Sequence, residues 1–153
     1  MRMRNQQQRF VQLIIIGSAI VLGIGLLIAI IPSHSGINVV KAFYKHEQKQ
    51  EFWNAYELFH PYMKERFTRD RYIDQRSHIF VNHFGVESFD LEFGKSSKIN
   101  NWKMSANHEP LDQVYKIPVT KTYKSAFGRF SIKQNVFTVK EDGDWYVLWD
   151  YDY

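Results

Sequence analysis

Residues 86–93 read Val-Glu-Ser-Phe-Asp-Leu-Glu-Phe, and across them the hydrophobic period changes. From Phe89 onward apolar and acidic residues alternate, so Phe89, Leu91 and Phe93 share one face of an extended chain. Before Gly85 the apolar residues recur at helical spacing instead. Helices therefore come first and strands second. That segregation makes the class α+β, with helices packed on one face of an antiparallel sheet.

Working back from Gly85, three helices are predicted. Ile37, Val40, Phe43 and Tyr44 mark the first, over about residues 37–50, with Lys41, Lys45, Glu47 and Lys49 on its other side. Phe52, Ala55, Tyr56 and Phe59, widened by Trp53, mark a second over residues 51–60, and Pro61 limits its run. Thr68 is the N-cap of a third, with Asp70 in the first turn. Tyr72, Ile73, Ile79 and Phe80 are its apolar face, Phe84 closes it, and Gly85 is the residue expected just past its end.

Working forward, residues 94–101 read as a polar loop. Trp102, Met104 and Ala106 suggest a second strand. Tyr115, Ile117, Val119 and Tyr123 mark a third, with Pro118 tolerable only at an edge or an irregularity. Residues 125–128, Ser-Ala-Phe-Gly, form a turn. Phe130 and Ile132 begin a fourth strand on one phase while Phe137 and Val139 end it on the other, which calls for a bulge near residues 134–136. Asp142-Gly143 is a two-residue hairpin signal. Trp145, Val147, Trp149 and Tyr151 share one face of the last strand. Tyr146 and Leu148 occupy its other face, the pattern of a central strand covered on both sides.

The other decisive stretch is residues 10–31, FVQLIIIGSAIVLGIGLLIAII, which carries no charge. As a helix it would be about 33 Å long, enough for a hydrocarbon core of about 30 Å. Gly17, Gly23 and Gly25 are better tolerated in lipid than in water, and Pro32 follows the end. Gly23 and Gly25 do not build a small-xxx-small face for pairing helices. Arg2, Arg4 and Arg9 precede the stretch, and no acidic residue occurs before Glu47. Basic flanks stay inside, so the expectation is a cytoplasmic N-terminus (residues 1–9), one membrane-spanning helix (10–31), a short linker (32–36) and an extracellular domain (37–153). A cleaved leader is the alternative, with Ser33-His34-Ser35 as the peptidase triplet. The apolar run exceeds the ~7–15 residues of a signal core, which favours an uncleaved anchor. The chain has no Cys, so no disulfide, thiol catalysis or lipid attachment at cysteine is expected.

Apportioning the charge excludes one class of partner. The net charge is +4, but three of the twenty Lys and Arg are Arg2, Arg4 and Arg9, so the remainder is close to neutral. No nucleic acid partner has electrostatic support. All four Trp, all nine Tyr and eleven of the twelve Phe lie beyond residue 36, too aromatic a composition for a disordered segment. No internal repeat is present.

The order of helices, Phe84-Gly85-Val86, Ile117-Pro118-Val119, Ala126-Phe127-Gly128 and above all the closing run from Val139 to Asp150 resemble a known domain. This part of the chain is similar to the nuclear transport factor 2-like domain at the N-terminus of class B penicillin-binding proteins of Gram-positive bacteria. The resemblance covers most of residues 39–150 and implies a cone of helices on a curved sheet, in an envelope setting. No Ser is followed three residues later by Lys, so the S-x-x-K nucleophile of a transpeptidase is missing. Penicillin binding and cross-linking are not implied.

Candidate chemistry is sparse. Some relatives of such cones are isomerases or dehydratases with an Asp or His base. Asp74 and His78 lie four apart on one helical face, and Asp150 lies on the last strand. Nothing in the sequence sets a Tyr or second acid beside them, so a surface pair and a strand-end residue are the expectation, with no catalytic residue. His78 and His83 would stand about 140° apart around a helix, and His60 and His108 have no partner at ligand spacing, so no metal is expected. Trp102, Trp145, Trp149, Tyr115 and Tyr123 make either a ligand cage or, as aromatics more often do, a core. No cofactor is expected. The leading expectation is a non-enzymatic, membrane-anchored extracytoplasmic domain that binds an envelope protein or cell-wall component. The alternatives are a small-molecule enzyme in the same fold or an assembly module of a secretion or conjugation apparatus. An enzyme should leave an open pocket with a buried Asp or His, whereas a binding domain should be filled by aromatics.

The topology is testable. Protease added to cells stripped of wall should digest the region after Ser35, and full protection there would overturn the orientation.

Overall fold

A computed structural model describes residues 35–78, 85, 86 and 88–151. The chain divides into two units, Met1–His34 and Ser35–Tyr153, and all described residues belong to the second. The apolar stretch at 10–31 lies outside them, as does the C-terminal part of the third predicted helix. Among the described residues no helix is long and apolar enough to cross a membrane.

The described residues form four helices and one antiparallel sheet, the α+β arrangement read from the change of period. The helices are α1 (Ser35–Gln48), α2 (Phe52–Glu57), α3 (Pro61–Arg66) and α4 (Arg69–Arg76). The strands are β1 (Phe89–Phe93), β2 (Ser97–Ile99), β3 (Val114–Ser125), β4 (Gly128–Glu141) and β5 (Asp144–Trp149). Their order in the sheet is β1-β3-β4-β5, with β2 pairing β3 beyond the end of β1.

The fourth helix comes from Pro61. It was expected only to limit α2, but it opens α3 at the first helical position, where a missing N–H costs nothing. His60 caps that helix through Nδ1, which accepts from the Tyr62 N–H at 3.1 Å. Thr68 caps α4 as expected, its hydroxyl accepting from the Arg71 N–H, with Asp70 in the first turn. Past Arg76 the helix widens into a π turn at Ser77 and His78. Gly85 has a φ of +59°, the left-handed geometry anticipated there.

α1 lies directly on the sheet. A Cβ on Gly36 would come within 2.9 Å of both Thr138 and Trp145, so only glycine lets the start of α1 sit this close. Phe43 and Tyr44 of α1 are fully buried. Phe59 meets Phe43 at 5.0 Å, Tyr72 at 5.1 Å and Trp149 at 5.0 Å, joining α1, the α2–α3 connection, α4 and β5 in one aromatic cluster.

The sheet departs from expectation in four places. β3 and β4 pair in unbroken register from Tyr115↔Thr138 to Ser125↔Gly128, so there is no bulge at residues 134–136. The apparent change of phase has another cause: residues 136–139 are buried on both faces. Thr138 faces α1, while Trp102 stacks on Phe137 at 4.3 Å from the other side. Second, Trp102, Met104 and Ala106 do not form a strand. Trp102 makes a single bridge to Leu111, and the connection buries Trp102, Met104 and Leu111 against the sheet. The alternation came from a packed loop. Third, the 94–101 stretch read as loop contains β2, which pairs with β3 from Ser97↔Lys116 to Ile99↔Val114. Fourth, β5 is an edge strand, not a central one. Its edge is occupied by the chain before α3: His60 N–H donates to the Val147 carbonyl at 3.1 Å and Val147 N–H to the Leu58 carbonyl at 2.8 Å.

Pro118 sits at an irregularity, as its missing N–H requires. β1 stops at Phe93↔Val119 and β2 starts at Ser97↔Lys116, so the neighbouring strand is broken beside Pro118. Its carbonyl still accepts from Gly94 N–H at 2.8 Å. At the hairpins, Asp142 and Gly143 both adopt positive φ, 50° and 94°, and Ser125↔Gly128 closes the other turn.

Trp145, Val147 and Trp149 share the helix-facing side of β5, as predicted, but to different depths. Trp149 is buried and Trp145 only half-buried. Truncating Trp149 to Ala should lower unfolding free energy by about 3–5 kcal/mol. Trp145→Ala should cost less. Phe127, 81 % exposed at a turn, should tolerate Ser within about 0.5 kcal/mol. Denaturant melts of the three variants check this ranking; a Trp149→Ala protein that unfolds like the parent would refute the placement of β5.

Candidate functional site

The helix-facing side of the sheet is not wholly apolar. Glu47 on α1 follows Val40 by seven residues and Tyr44 by three, so it belongs to the buried stripe of α1. The reading that put it on the polar side is corrected by its exposure of 5 %. It faces Tyr72 and Arg76, four apart on α4. The Tyr72 hydroxyl donates to Glu47 Oε1 at 2.6 Å, and Arg76 Nη2 donates to the same oxygen at 2.6 Å. Glu47 is the only buried carboxylate among the described residues.

From the sheet, Lys121 of β3 enters the same cluster. It is 3 % exposed, and its Nζ lies 5.4 Å from the centre of the Tyr44 ring. The guanidinium of Arg76 stands 5.3 Å from the Trp149 ring. Two cations are therefore buried near one carboxylate, and Arg76 holds that carboxylate. The Tyr44 hydroxyl and the Trp149 indole N–H are both buried. The two face each other, and donation from the Trp149 indole towards the Tyr44 hydroxyl favours the phenolate slightly, against the larger effect of burial.

The electrostatics follow from this packing. Burial pushes the Tyr44 phenol far above its ordinary range, and Glu47 adds to the shift. Tyr72 moves the same way for the same reasons. Burial alone would favour a neutral Arg76, but Glu47 reverses that and keeps the guanidinium charged. Lys121 is in no ion pair among the described residues, and Glu47 only partly offsets its burial. Burial, with Arg76 close by, pulls it down to about 8.

The residues singled out in the sequence lie elsewhere. Asp74, His78 and Asp150 are exposed to solvent. His83 lies outside the described residues. His60 is buried and locked: its Nδ1 accepts from Tyr62 N–H, so Nε2 carries the proton and donates to Glu141 at 2.9 Å. Burial lowers its pKa, opposed by Glu141. His108 binds the Ser105 hydroxyl through Nδ1 at 2.6 Å within a turn. No group of three metal-ligating side chains occurs among the described residues. The five aromatics considered as a cage are split three ways. Trp149 and Tyr123 lie in the helix–sheet core, Trp102 covers the opposite face, and Tyr115 packs against Trp145 at 5.8 Å near the start of α1.

Sequence reasoning missed Glu47, Arg76 and Lys121. The signal for Glu47 and Arg76 was present in their spacing from buried aromatics. For Lys121 it was the strand alternation with Val119 and Tyr123. No family model matches this chain, and no curated protein matches it.

Lys121 gives the site a pH signature. In the unfolded chain its pKa is about 10.5, against about 8 when folded, so between these values the unfolded state binds more protons. Stability should therefore rise with pH from about 8 towards 10, by on the order of 2–3 kcal/mol in all. Lys121→Met should flatten that rise, and melting curves at pH 7.5, 8.5 and 9.5 read it directly. A parent protein with no gain over this window would contradict the burial of a charged Lys121.

Proposed function

We propose that this protein is a membrane-anchored extracytoplasmic domain of nuclear transport factor 2-like form, which binds a component of the cell envelope without turning it over. The anchor is the uncharged stretch at 10–31 with its basic N-terminal flank. The cone form rests on the resemblance of residues 39–150, and the α+β order of elements agrees with it.

The observation that carries the non-catalytic reading is the state of Glu47. Acid–base catalysis in the helix–sheet interior would need a carboxylate or imidazole free to exchange a proton with substrate. Glu47 already accepts from Tyr72 and Arg76 on one oxygen at 2.6 Å each. The buried His60 is held at both ring nitrogens at the edge of the sheet. Much of the rest of that interior is aromatic packing, which suits a rigid binding body. A tether of a few residues would confine such a domain to the layer next to the bilayer and raise its effective concentration for partners there. A protein or wall precursor of that layer is the partner class we infer.

Asp74→Asn, His78→Ala and Asp150→Asn should each retain the cellular role, scored by complementation of a deletion strain. Removing residues 2–31 should abolish it while leaving a folded domain. Loss of the role in any one of the three point variants, with folding intact, would instead support the isomerase or dehydratase alternative. Cross-linking in intact cells followed by pull-down would identify the partner.

A further inference from the structure

Leu58 and His60 seal the outer side of β5, but β5 runs beside β4 only from Val136↔Trp149 to Glu141↔Asp144. Beyond Trp149 the chain leaves β4, and the Tyr151 N–H donates to the Met104 carbonyl instead. Residues 128–135 of β4 therefore pair with β3 on one side and with no described residue on the other. At about 3.3 Å per residue this open edge is roughly 26 Å long. The register decides which groups it offers. The Gly94 N–H donates to the Pro118 carbonyl, so the even-numbered residues of β3 turn their backbone groups to β1 and the odd-numbered ones to β4. With Lys121 opposite Ile132, the even-numbered residues of β4 bond β3. Arg129, Ser131, Lys133 and Asn135 then turn their N–H and C=O outward.

The side chains along this edge alternate in kind. Phe130 lies opposite Tyr123 and Ile132 opposite Lys121, on the helix-facing side, and Ile132 is 38 % exposed. Arg129, Ser131 and Lys133 lie on the other side, where the Ser131 hydroxyl meets that of Thr122 at 2.8 Å. Arg129 and Lys133 are exposed. Residues 119–135 contain no acidic residue. The acids of that face, Asp90 and Glu92, stand on β1, two strands away. Cations on an edge oppose pairing with a like strand. A second copy of this edge would set its own Arg129 and Lys133 against these, whereas an acidic strand would meet opposite charge.

We propose that residues 129–135 of β4 are a strand-addition site for an extended segment of a partner protein in which acidic and apolar residues alternate. This rests on the non-catalytic binding reading above and selects a protein over a wall precursor. Main-chain hydrogen bonds to the four outward residues supply the affinity, and the side chains supply the choice of partner. Apolar residues of the added strand lie beside Phe130 and Ile132, and its acids lie beside Arg129 and Lys133, the pairings that contribute most across a sheet. The sheet already holds one strand of this chemistry. β1 turns Phe89, Leu91 and Phe93 to the helices and Asp90 and Glu92 to the other side, and it pairs with β3.

The test uses the full chain purified in detergent at pH 7.0 and the peptide acetyl-Thr-Glu-Val-Glu-Val-Glu-Thr-amide. Its controls are the same peptide with Lys for each Glu, and with each Glu N-methylated, which keeps the charge but removes the N–H groups that would bond β4. Amide hydrogen exchange is the readout. In the free protein the amides of Phe130, Ile132 and Gln134 should exchange slowly and those of Arg129, Ser131, Lys133 and Asn135 fast. The acidic peptide should bind saturably and slow the second set. Neither control should do so. The double variant Arg129→Glu with Lys133→Glu should bind the acidic peptide about tenfold more weakly and take the Lys peptide instead. No binding of the acidic peptide, equal binding of either control, or unchanged binding by the double variant would each overturn the site. If the double variant fails to fold, the two control peptides still decide. Free protein that sediments as a dimer with the second set already slow would give the edge to a second copy and overturn the partner assignment. Complementation separates this site from the reading it rests on. If the peptide fails while Asp74→Asn, His78→Ala and Asp150→Asn retain the cellular role, only the edge site falls. If the peptide binds and one of those folded variants loses the role, only the non-catalytic reading falls.

Discussion

The ring contacts of Phe59 hold the described structure together. Its ring meets Phe43, Tyr72 and Trp149 at close to 5 Å each, tilted against Phe43 and edge-to-face with Tyr72 and Trp149, within the range where aromatic pairs attract. The backbone beside it is pinned as well, since Phe59 bridges Val147 in parallel and His60 and Leu58 bond the edge of β5. One residue thus fixes where α1, α4 and β5 meet. It also closes the open edge of the sheet without adding a strand. Pro61 then turns the chain away, and His60 caps the helix that follows.

Burying polar groups beside that cluster has a stability cost. A buried ion pair contributes little net stability unless its geometry is good and its remaining hydrogen-bonding groups are met. Glu47 meets that condition by accepting from both Arg76 and Tyr72. Lys121 does not, and burial drags its pKa towards neutrality. Such a group is seldom kept for stability alone, since a Met of similar volume would fill the space without the charge.

The opposite face of the sheet is managed differently. A loop rather than a helix covers it, with Trp102 stacked on Phe137 and the Met104 carbonyl accepting from Tyr151 N–H at 2.8 Å. Because helix and loop cover only one end of β4 together, that strand is buried on both faces at residues 136–139 and exposed at its other end. The break between β1 and β2 serves the same sheet. It lets Pro118 occupy the interior strand β3 without stranding a partner carbonyl.

Whatever rests on local periodicity and local backbone chemistry was legible in the sequence alone. The switch from helical to alternating spacing at Gly85, the Thr68 cap, the Asp142-Gly143 hairpin, the irregularity at Pro118 and the deep burial of Trp149 all depend on residues a few positions apart. Features that depend on partners far along the chain became visible only in the fold. Trp102, Met104 and Ala106 alternate like a strand, yet they cover a sheet face as a loop, because alternation records burial and not pairing. Phe137 and Val139 mimic a shift of phase because a second layer arrives from elsewhere. The candidate site belongs to this second kind. Glu47, Arg76 and Lys121 read as surface charges in isolation. They meet in the interior only because α1, α4 and β3 are packed together, and that packing turns ordinary solvated side chains into one neutralised pair and one buried cation.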